Sequence, residues 1–373
     1  MNGGMKKIAC WVVCLMMVSR IAGVGAVRVE GVPEGGLQPE VVTDGRGVVH
    51  LVYLRGDPKA AEVRYTWRRL REPWQPSVTV NSQLGSGMAM GSIRGPQLAL
   101  VGKGGVQVLW NGAAVQGRSP LWLAGRKAGE RSFAEQRDLL GEGTSLDGGA
   151  SIAADGAGGV FVVWHGNRAG EGAEEQRRLV FVRTSKDGGE TFGEAVPVNA
   201  GQPGVCACCS LRALAGGKEG LRIFFRSAVT METRTMTLLS QAQEGWSARE
   251  VEPWKVAACP MSSAALAVDR DRLLGAWETA GQIRVGWIST VDAPAVTVAT
   301  ASAKHPVAAI SSQGKVLLAW LEGSGWNRGG SAVWQELDLK LRAVGSKGTA
   351  PGVPAWGRVA VYAEPQGDFV VLK

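Results

Sequence analysis

The chain has 373 residues, of which 45% are hydrophobic and 20% charged. This composition is that of an ordinary globular protein, long enough to bury one large core or two medium ones. The formal net charge of +8 is spread along the chain without a basic run, so nucleic acid is not indicated as a partner. The 53 glycines and the lack of long helical periodicity predict an all-β fold with many short strands.

The N-terminus has the pattern of an export signal. Lys6 and Lys7 precede an apolar run at residues 8–18, and small residues lead to a cleavage site after Ala26. The run is shorter than the roughly 20 residues that a membrane-spanning helix needs. We therefore predict a signal peptide at 1–26, a mature domain at 27–373, a secreted or periplasmic protein, and no membrane anchor after cleavage.

One sequence unit recurs along the mature chain. A short apolar strand, a Gly-rich turn and a second apolar strand end in an aromatic residue, as in "PQLALVGKGGVQVLW" and "PVAAISSQGKVLLAW". The aromatic markers are 43 to 60 residues apart, the period of a four-stranded propeller blade. They are Tyr53, Trp110, Trp164, Phe224, Trp277 and Trp320. A seventh, partial copy ends the chain. We predict a β-propeller of four-stranded blades, six favoured and seven possible, the partial copy making a small last blade or closing the ring with residues 27–30.

The stretch "TSKDGGETF" at 184–192 lies between two predicted strands of the third blade. Its residues match the pattern Ser, any, Asp, any, Gly, any, Thr, aromatic, and are Ser185, Asp187, Gly189, Thr191 and Phe192. This turn resembles the Asp-box of the sialidase-like (BNR-repeat) β-propeller superfamily. The resemblance implies a structural turn, in which Asp187 accepts backbone N–H bonds, the glycines take positive φ and Phe192 packs beneath. The partial match "SLDGG" at 145–149 precedes a first strand and is not counted.

Propeller topology predicts which residues share the ligand face. Residues before the first strand of a blade and residues at the end of its second strand emerge on one face, opposite the Asp-box. Polar residues recur there, before first strands at Arg94, Asp147, Cys209, Ser262 and His305, and after second strands at Asn111, His165, Arg226, Glu278 and Glu322. Strand ends are often polar because they meet water. As a set, however, they predict a ligand site at the mouth of the ring.

The resemblance to sialidases implies three arginines that hold the substrate carboxylate, an Asp acid, and a Tyr nucleophile. Arg94 in "SIRGPQLAL" resembles the first arginine, although Gly95 replaces the family's Ile. Arg226 and Arg328 are candidates for the rest of the clamp, and Asp147 for the acid. No tyrosine is clearly at the mouth. Without one, Glu278 and Glu322 are candidates to pair with Asp147 as a two-carboxylate glycosidase site.

Trp326 lies with Asn327 and Arg328 in a Gly-rich loop at 322–334. An exposed Trp beside these polar groups would suit a sugar face. Alternatively, Trp326 folds back as a plug on the sixth blade. The predicted ligand-binding residues are Arg94, Asn111, His165, Arg226, His305, Trp326 and Arg328.

All four cysteines of the mature chain precede the first strands of blades 4 and 5, at Cys206, Cys208, Cys209 and Cys259. In an exported protein this predicts two disulfides, one of them joining the two blades. The alternative is a copper or zinc site formed with His165 or His305. No cofactor is otherwise required.

Three functions are compatible with these residues. The first is a glycoside hydrolase of exo-sialidase type that acts on acidic glycans. The second is a non-catalytic glycan- or protein-binding propeller, and the third a periplasmic cysteine-based metal or redox protein. The expected partner is a glycan or another small acidic ligand, and we expect a monomer.

Overall fold

The computed structural model describes residues 27–114, 118–140, 146–168, 170–216, 220–290, 294–300 and 302–373. The predicted signal peptide lies outside these ranges. Almost all regular structure within them is β, with two short 3₁₀ helices at Pro33–Gly35 and Glu175–Arg177. Over the described ranges, no helix has the length and apolar character needed to cross a membrane.

The strands of the first half are β1 (Val27–Glu30), β2 (Leu37–Thr43), β3 (Val48–Asp57), β4 (Ala60–Arg69), β5 (Val78–Thr79), β6 (Gln97–Val101), β7 (Gly105–Asn111), β8 (Leu121–Arg126), β9 (Arg137–Asp138), β10 (Ser151–Ala154), β11 (Val160–Gly166), β12 (Leu179–Ser185) and β13 (Val196–Pro197). Those of the second half are β14 (Arg212–Leu214), β15 (Arg222–Arg226), β16 (Met236–Ala242), β17 (Gly245–Glu252), β18 (Ala264–Asp269), β19 (Arg272–Thr279), β20 (Gln282–Trp287), β21 (Val296–Ala299), β22 (Ala303–Ile310), β23 (Lys315–Glu322), β24 (Gly330–Asp338), β25 (Ala343–Val353), β26 (Ala360–Ala363) and β27 (Phe369–Leu372).

These strands form seven sheets. Six are four-stranded antiparallel meanders, blade 1 (β2–β5) to blade 6 (β22–β25), each in sequence order. The first strand of each sheet packs on the first strand of the next, and β26 packs on both β22 and β2. The contacts therefore close into a ring of first strands around a central axis. The β-propeller is confirmed, and the ring has seven sheets rather than the favoured six.

The seventh sheet joins the two ends of the described chain. It has three strands in the order β1-β27-β26, and β1 runs parallel to β27 with Val27 opposite Phe369. The partial seventh repeat thus makes a small last blade, and residues 27–30 complete it. The pairing with β1 therefore covers the outer edge of β27, which would otherwise expose unpaired backbone groups.

The six aromatic markers lie on the second strands of blades 1 to 6 and are fully or almost fully buried, at 0–1% exposure. Each packs in a cluster formed with a neighbouring sheet, as Trp110 does between blades 1 and 2 and Trp164 between blades 2 and 3. Large rings between sheets bury apolar area that no single meander could bury alone. The repeat marker is therefore the unit of inter-blade packing.

The turn at 185–192 between β12 and β13 is held by the hydrogen bonds predicted for it. Asp187 accepts bonds from the backbone N–H groups of Glu190 and Thr191 at 3.0 Å and from the hydroxyls of Ser185 and Thr191. These donors hold the pKa of Asp187 well below its usual range. Gly188 and Gly189 have φ of 77° and 92°. Gln107 of blade 2 donates to Gly188 O at 2.8 Å, so the turn also ties two blades together.

The axis contains a channel of about 550 Å³ lined by the first strands of the seven blades. Its lining includes Ala154, Asp155 and Gly156, which lie where β10 turns into β11. We call this side of the ring the turn face. The opposite side, where first strands begin and second strands end, is the mouth face.

Candidate functional site

Arg94, Asp147 and Arg178 meet on the mouth face. Arg94 donates from Nε to the backbone O of Asp147 at 3.1 Å, and its Nη2 lies 3.5 Å from Asp147 Oδ1. Arg178 Nη2 lies 3.3 Å from Asp147 Oδ2. The Asp147 and Arg94 side chains remain 43% and 27% exposed, whereas Arg178 is 5% exposed. The result is a solvent-accessible carboxylate held between two guanidinium groups.

The loop that carries Arg94 reaches the centre of the mouth face. Ile93 is buried, and its carbonyl O lies 1.9 Å from the point that a Cβ on Gly149 would occupy. Gly91 has a φ of +85° and leaves room for Arg94 and for the Trp326 ring. A Cβ built on Gly91 would lie 3.4 Å from that ring. Glycines at 91 and 149 thus allow the loop to approach its neighbours closely.

Trp326 comes from the loop between β23 and β24 and lies beside the Arg94 loop. Its side chain is 56% exposed, so the ring is not a plug on blade 6. Together with Ile93, Lys304 and His305 it lines a cleft of about 80 Å³. A cleft of this size accommodates a small polar group rather than a whole sugar, since ligand pockets are usually several hundred Å³.

Asn111 and His165 support the Asp147 loop from beneath. Asn111 donates to Gly148 O at 2.9 Å, and His165 Nε2 donates to Cys209 O at 2.9 Å. A Cβ on Gly148 would meet both His165 and Cys209 O, so these groups are packed tightly. Burial lowers the pKa of His165 to about 4, and the imidazole is neutral at pH 7. Both residues position backbone rather than present side chains to solvent.

His305 lies within β22, at a bulge between Lys304 and Val307, rather than before the strand as predicted. Its φ is +56° and its side chain is buried. Its Nδ1 lies 3.2 Å from the Ser263 hydroxyl, which also accepts a bond from Arg358. Burial, Arg358 and Lys304 hold the pKa of His305 well below its usual range.

The remaining predicted residues form hydrogen bonds with groups other than Arg94 and Asp147. Arg226 is 2% exposed and donates to Glu278 O, Ser262 Oγ and Arg234 O. Glu278 is also 2% exposed, and its Oε1 accepts from Gly281 N. Glu322 Oε1 accepts from the Trp320 indole at 2.8 Å, and Arg328 bonds to Gly323 O in its own loop. These contacts direct both glutamates and Arg328 towards their own blades.

The three tyrosines of the chain are all buried within blades. Tyr53 packs with blade 7, and the Tyr362 hydroxyl accepts a hydrogen bond from Arg68. The Tyr65 hydroxyl is hydrogen-bonded to Nδ1 of His50, 2.7 Å away. Burial raises the pKa of Tyr65 to about 12. None of the hydrogen bonds of these three tyrosines is made to Asp147.

The four cysteines converge between blades 4 and 5. Cys208 and Cys259 form a disulfide that joins the two blades, as predicted, with Cα atoms 6.2 Å apart. The expected second disulfide is absent among these four residues, because Cys206 and Cys209 are free thiols. Their Sγ atoms are 3.3 Å apart. Burial raises the pKa of Cys209, but the hydrogen bond from the Cys206 thiol, the charge of Arg226 and the bonds from Ser262 outweigh burial and lower this pKa.

Arg178 and Arg358 are functional candidates that the sequence analysis missed. Arg178 precedes β12, a third strand, and Arg358 precedes β26 in the last blade. Third strands begin on the face where second strands end, so an inspection of third-strand starts would have found Arg178. Arg358 precedes the first strand of a repeat that was recognised only in part.

No family model matches the sequence, and no curated protein does. Solved structures do resemble the fold. An α-L-arabinanase of Penicillium chrysogenum complexed with arabinobiose has a TM-score of 0.55 at 11% identity, with 85% of this chain and 98% of that chain covered. The Aleuria aurantia lectin in complex with Fucα1-6GlcNAc has a TM-score of 0.53 at 12% identity, covering 86% and 96%. The NanB sialidase of Streptococcus pneumoniae has a TM-score of 0.52 at 9% identity, covering 79% of this chain and 66% of that chain. Likeness at such low identity shows the fold alone, and that fold is a seven-bladed β-propeller.

Proposed function

We propose that the protein is an exported, non-catalytic glycan-binding propeller that takes an acidic saccharide on its mouth face. The observation that carries this proposal is the exposed Trp326 ring beside the Arg94–Asp147 pair. An indole supplies an apolar face for a sugar ring, while guanidinium and carboxylate groups bond its hydroxyls and carboxylate. These two kinds of contact are what saccharide recognition requires.

The charge around this site favours an acidic ligand. Arg94 and Arg178 flank Asp147, and Lys304 lines the cleft under Trp326. This set carries three positive charges and one negative charge. Arg94 retains solvent-accessible surface next to the cleft, so a ligand carboxylate can bond to its guanidinium without displacing Asp147.

The same geometry argues against hydrolysis. Two-carboxylate glycosidases hold their groups about 5–5.5 Å apart for retention or about 6.5–9.5 Å apart for inversion. Asp147 is bonded to two arginines, whereas Glu278 and Glu322 bond to Gly281 N and the Trp320 indole. The contacts thus supply Asp147 with cationic partners rather than a second carboxylate. A tyrosine nucleophile has no candidate at the mouth.

Export is supported by the Cys208–Cys259 disulfide, since such bonds persist in oxidising compartments. The N-terminal pattern of residues 1–26 points the same way. Determination of the mature N-terminus after expression in a bacterial host tests this part. A start at Val27 in the extracytoplasmic fraction agrees with the proposal, and retention of residues 1–26 in the cytoplasm contradicts it.

Glycan-array screening followed by calorimetry tests the binding function. We expect binding of saccharides that carry a carboxylate and weaker binding of their neutral counterparts. Arg94→Ala and Trp326→Ala should each weaken binding by roughly 10-fold or more. Arg328→Ala is the matched control, because Arg328 is exposed and bonds within its own loop.

Turnover of a fluorogenic sialoside decides between binding and hydrolysis. No release of the fluorophore above buffer is expected from protein that binds the array ligand. Release that disappears in Asp147→Ala would instead establish a hydrolase. Equal affinity of wild type and Arg94→Ala for every bound saccharide would refute the proposed site.

A further inference from the structure

Three sulfur atoms of blade 4 form one compact cluster, and a disulfide joins a fourth sulfur, from blade 5, to it. The Sγ of Cys206 lies 3.3 Å from that of Cys209 and 3.6 Å from that of Cys208, and all three Sγ atoms lie within 4.8 Å of one another. Cys259 adds the fourth sulfur through its bond to Cys208. The three cysteines of blade 4 come from one loop, so a short backbone segment fixes most of the cluster.

We infer that, when the Cys208–Cys259 bond is reduced, Cys206, Cys208, Cys209 and Cys259 bind one thiophilic d¹⁰ cation, Zn²⁺ or Cu⁺, as thiolates. This site is independent of the proposed saccharide site. A phosphine reductant supplies two electrons and becomes the phosphine oxide, while water supplies the oxygen atom and the two protons; a dithiol supplies both electrons and protons and becomes a disulfide. Either reaction breaks the S–S bond and yields the Cys208 and Cys259 thiols. Metal binding then releases the thiol protons to solvent.

The spacing of the sulfur atoms fits such a site. Zn–S bonds of about 2.3 Å in a tetrahedron place neighbouring sulfurs about 3.8 Å apart. The distances of 3.3 and 3.6 Å and the limit of 4.8 Å bracket that value. The Cys208 and Cys259 sulfurs must move apart, and Cys259 lies on an exposed loop before β18, where the backbone can adjust.

The surroundings supply the charge that a thiolate site needs. Arg226 is buried next to the cluster, and its hydrogen bonds go to two backbone carbonyls and the Ser262 hydroxyl, none of which is charged. A buried guanidinium without a charged partner is costly. Thiolates around a cation carry net negative charge, which Arg226 would balance.

Burial makes the site selective for soft cations. Cys206 and Cys209 are 0% and 3% exposed, and Ala228 packs against them. Thiolates in an apolar pocket exclude the water and oxygen ligands that Mg²⁺ and Ca²⁺ require. The same atoms can also form a second disulfide, Cys206–Cys209, so oxidation and metal binding are alternatives at one cluster.

Metal titration of the full-length protein tests the inference. The protein is reduced anaerobically with a phosphine, freed of reductant, and titrated with Zn²⁺ against a chromophoric chelator, and with Cu⁺ against bicinchoninate. We expect one cation per chain, bound roughly 100-fold more tightly than by the Cys206→Ser/Cys209→Ser double variant. Protein oxidised before titration should lose this tight binding.

A second variant keeps the test decisive if the double variant does not fold. Cys259→Ser changes an exposed residue and removes one of four sulfurs. With Co²⁺ as probe, its thiolate-to-metal absorption should fall by about a quarter relative to reduced wild type. Identical Co²⁺ spectra for wild type and Cys259→Ser, or equal Zn²⁺ affinity before and after reduction, would overturn the inference.

Discussion

Arg212 of blade 4 and Glu40 of blade 1 form a two-pronged ion pair within the central channel. Arg212 Nη1 and Nη2 lie 3.1 and 2.9 Å from the two carboxylate oxygens of Glu40, and Nη1 also bonds to Gln97. Blades 1 and 4 are three positions apart in a ring of seven, so the pair joins opposite walls. It therefore braces the ring across its axis.

Glu40→Gln is expected to lower the free energy of unfolding by about 1–3 kcal/mol, because Arg212 then keeps its charge in a partly buried site. Chemical denaturation measures the change. The double variant Glu40→Gln/Arg212→Met should lose less than the sum of the two single variants. Strict additivity of the two changes would show that the pair does not brace the ring.

Gly149→Ala tests the close approach at the mouth. Its Cβ would lie 1.9 Å from Ile93 O and 2.9 Å from Ser210 Cβ, so the Arg94 loop must shift. We expect a loss of about 1–3 kcal/mol in stability, together with weaker saccharide binding. Gly201→Ala is the control, because no atom lies within 4 Å of its Cβ position. Equal thermal unfolding temperatures for the two variants would contradict this packing.

The three histidines make stability sensitive to acid. Burial lowers the pKa of His50, His165 and His305, so their folded-state values lie below the ordinary value of 6.5. The unfolded chain therefore takes up protons first, and stability present above pH 6.5 is lost as the pH falls towards about 4, the pKa of His165. His165 contributes up to about 1.4 kcal/mol per pH unit in this window, and His50 and His305 act in the same direction.

His305→Asn should reduce this acid sensitivity, since Asn tolerates the positive φ at this position and does not titrate. Urea unfolding at pH 7.5 and 5 measures the difference. The variant should show a smaller drop between the two pH values than wild type. An unchanged drop would mean that His305 binds protons equally in both states.

Ser185→Ala tests the turn of blade 3. The Ser185 hydroxyl donates to Asp187 at 2.7 Å and accepts from Gly189 N at 2.8 Å, in a buried position. Its loss leaves a buried N–H without an acceptor, which costs about 1–3 kcal/mol. Ser312→Ala, which removes a single exposed hydrogen bond, should change the unfolding temperature little. Equal effects of the two substitutions would reject the proposed role of Ser185.

The repeat spacing was sufficient to predict the ring, because blades 1 to 6 each place one large aromatic residue, such as Trp164, at the contact with a neighbouring sheet. The blade number was not, since the seventh sheet takes its third strand from Val27–Glu30. Parallel pairing of strands from opposite chain ends leaves no local pattern. The chain's last repeat consequently looked incomplete.

The candidate site was predicted in outline only. Arg94 and Asp147 follow from strand order, and the structure places them together. Arg178 lies directly before the third strand β12, a position on the same face that a rule based only on first-strand starts and second-strand ends leaves out. A disulfide between blades 4 and 5 could be predicted because cysteines precede the first strands of both blades, and Cys208–Cys259 is that bond. The free thiols of Cys206 and Cys209 could not be predicted, because pairing depends on the directions of the side chains.

The pairing of β1 with β27 has a consequence for biosynthesis. Residues 27–30 are synthesised well before residues 369–372, which form their partner strand. The six sheets of consecutive strands can assemble progressively, but the seventh sheet is completed only after both of its chain segments have been synthesised. Until then β1 lacks its partner strand.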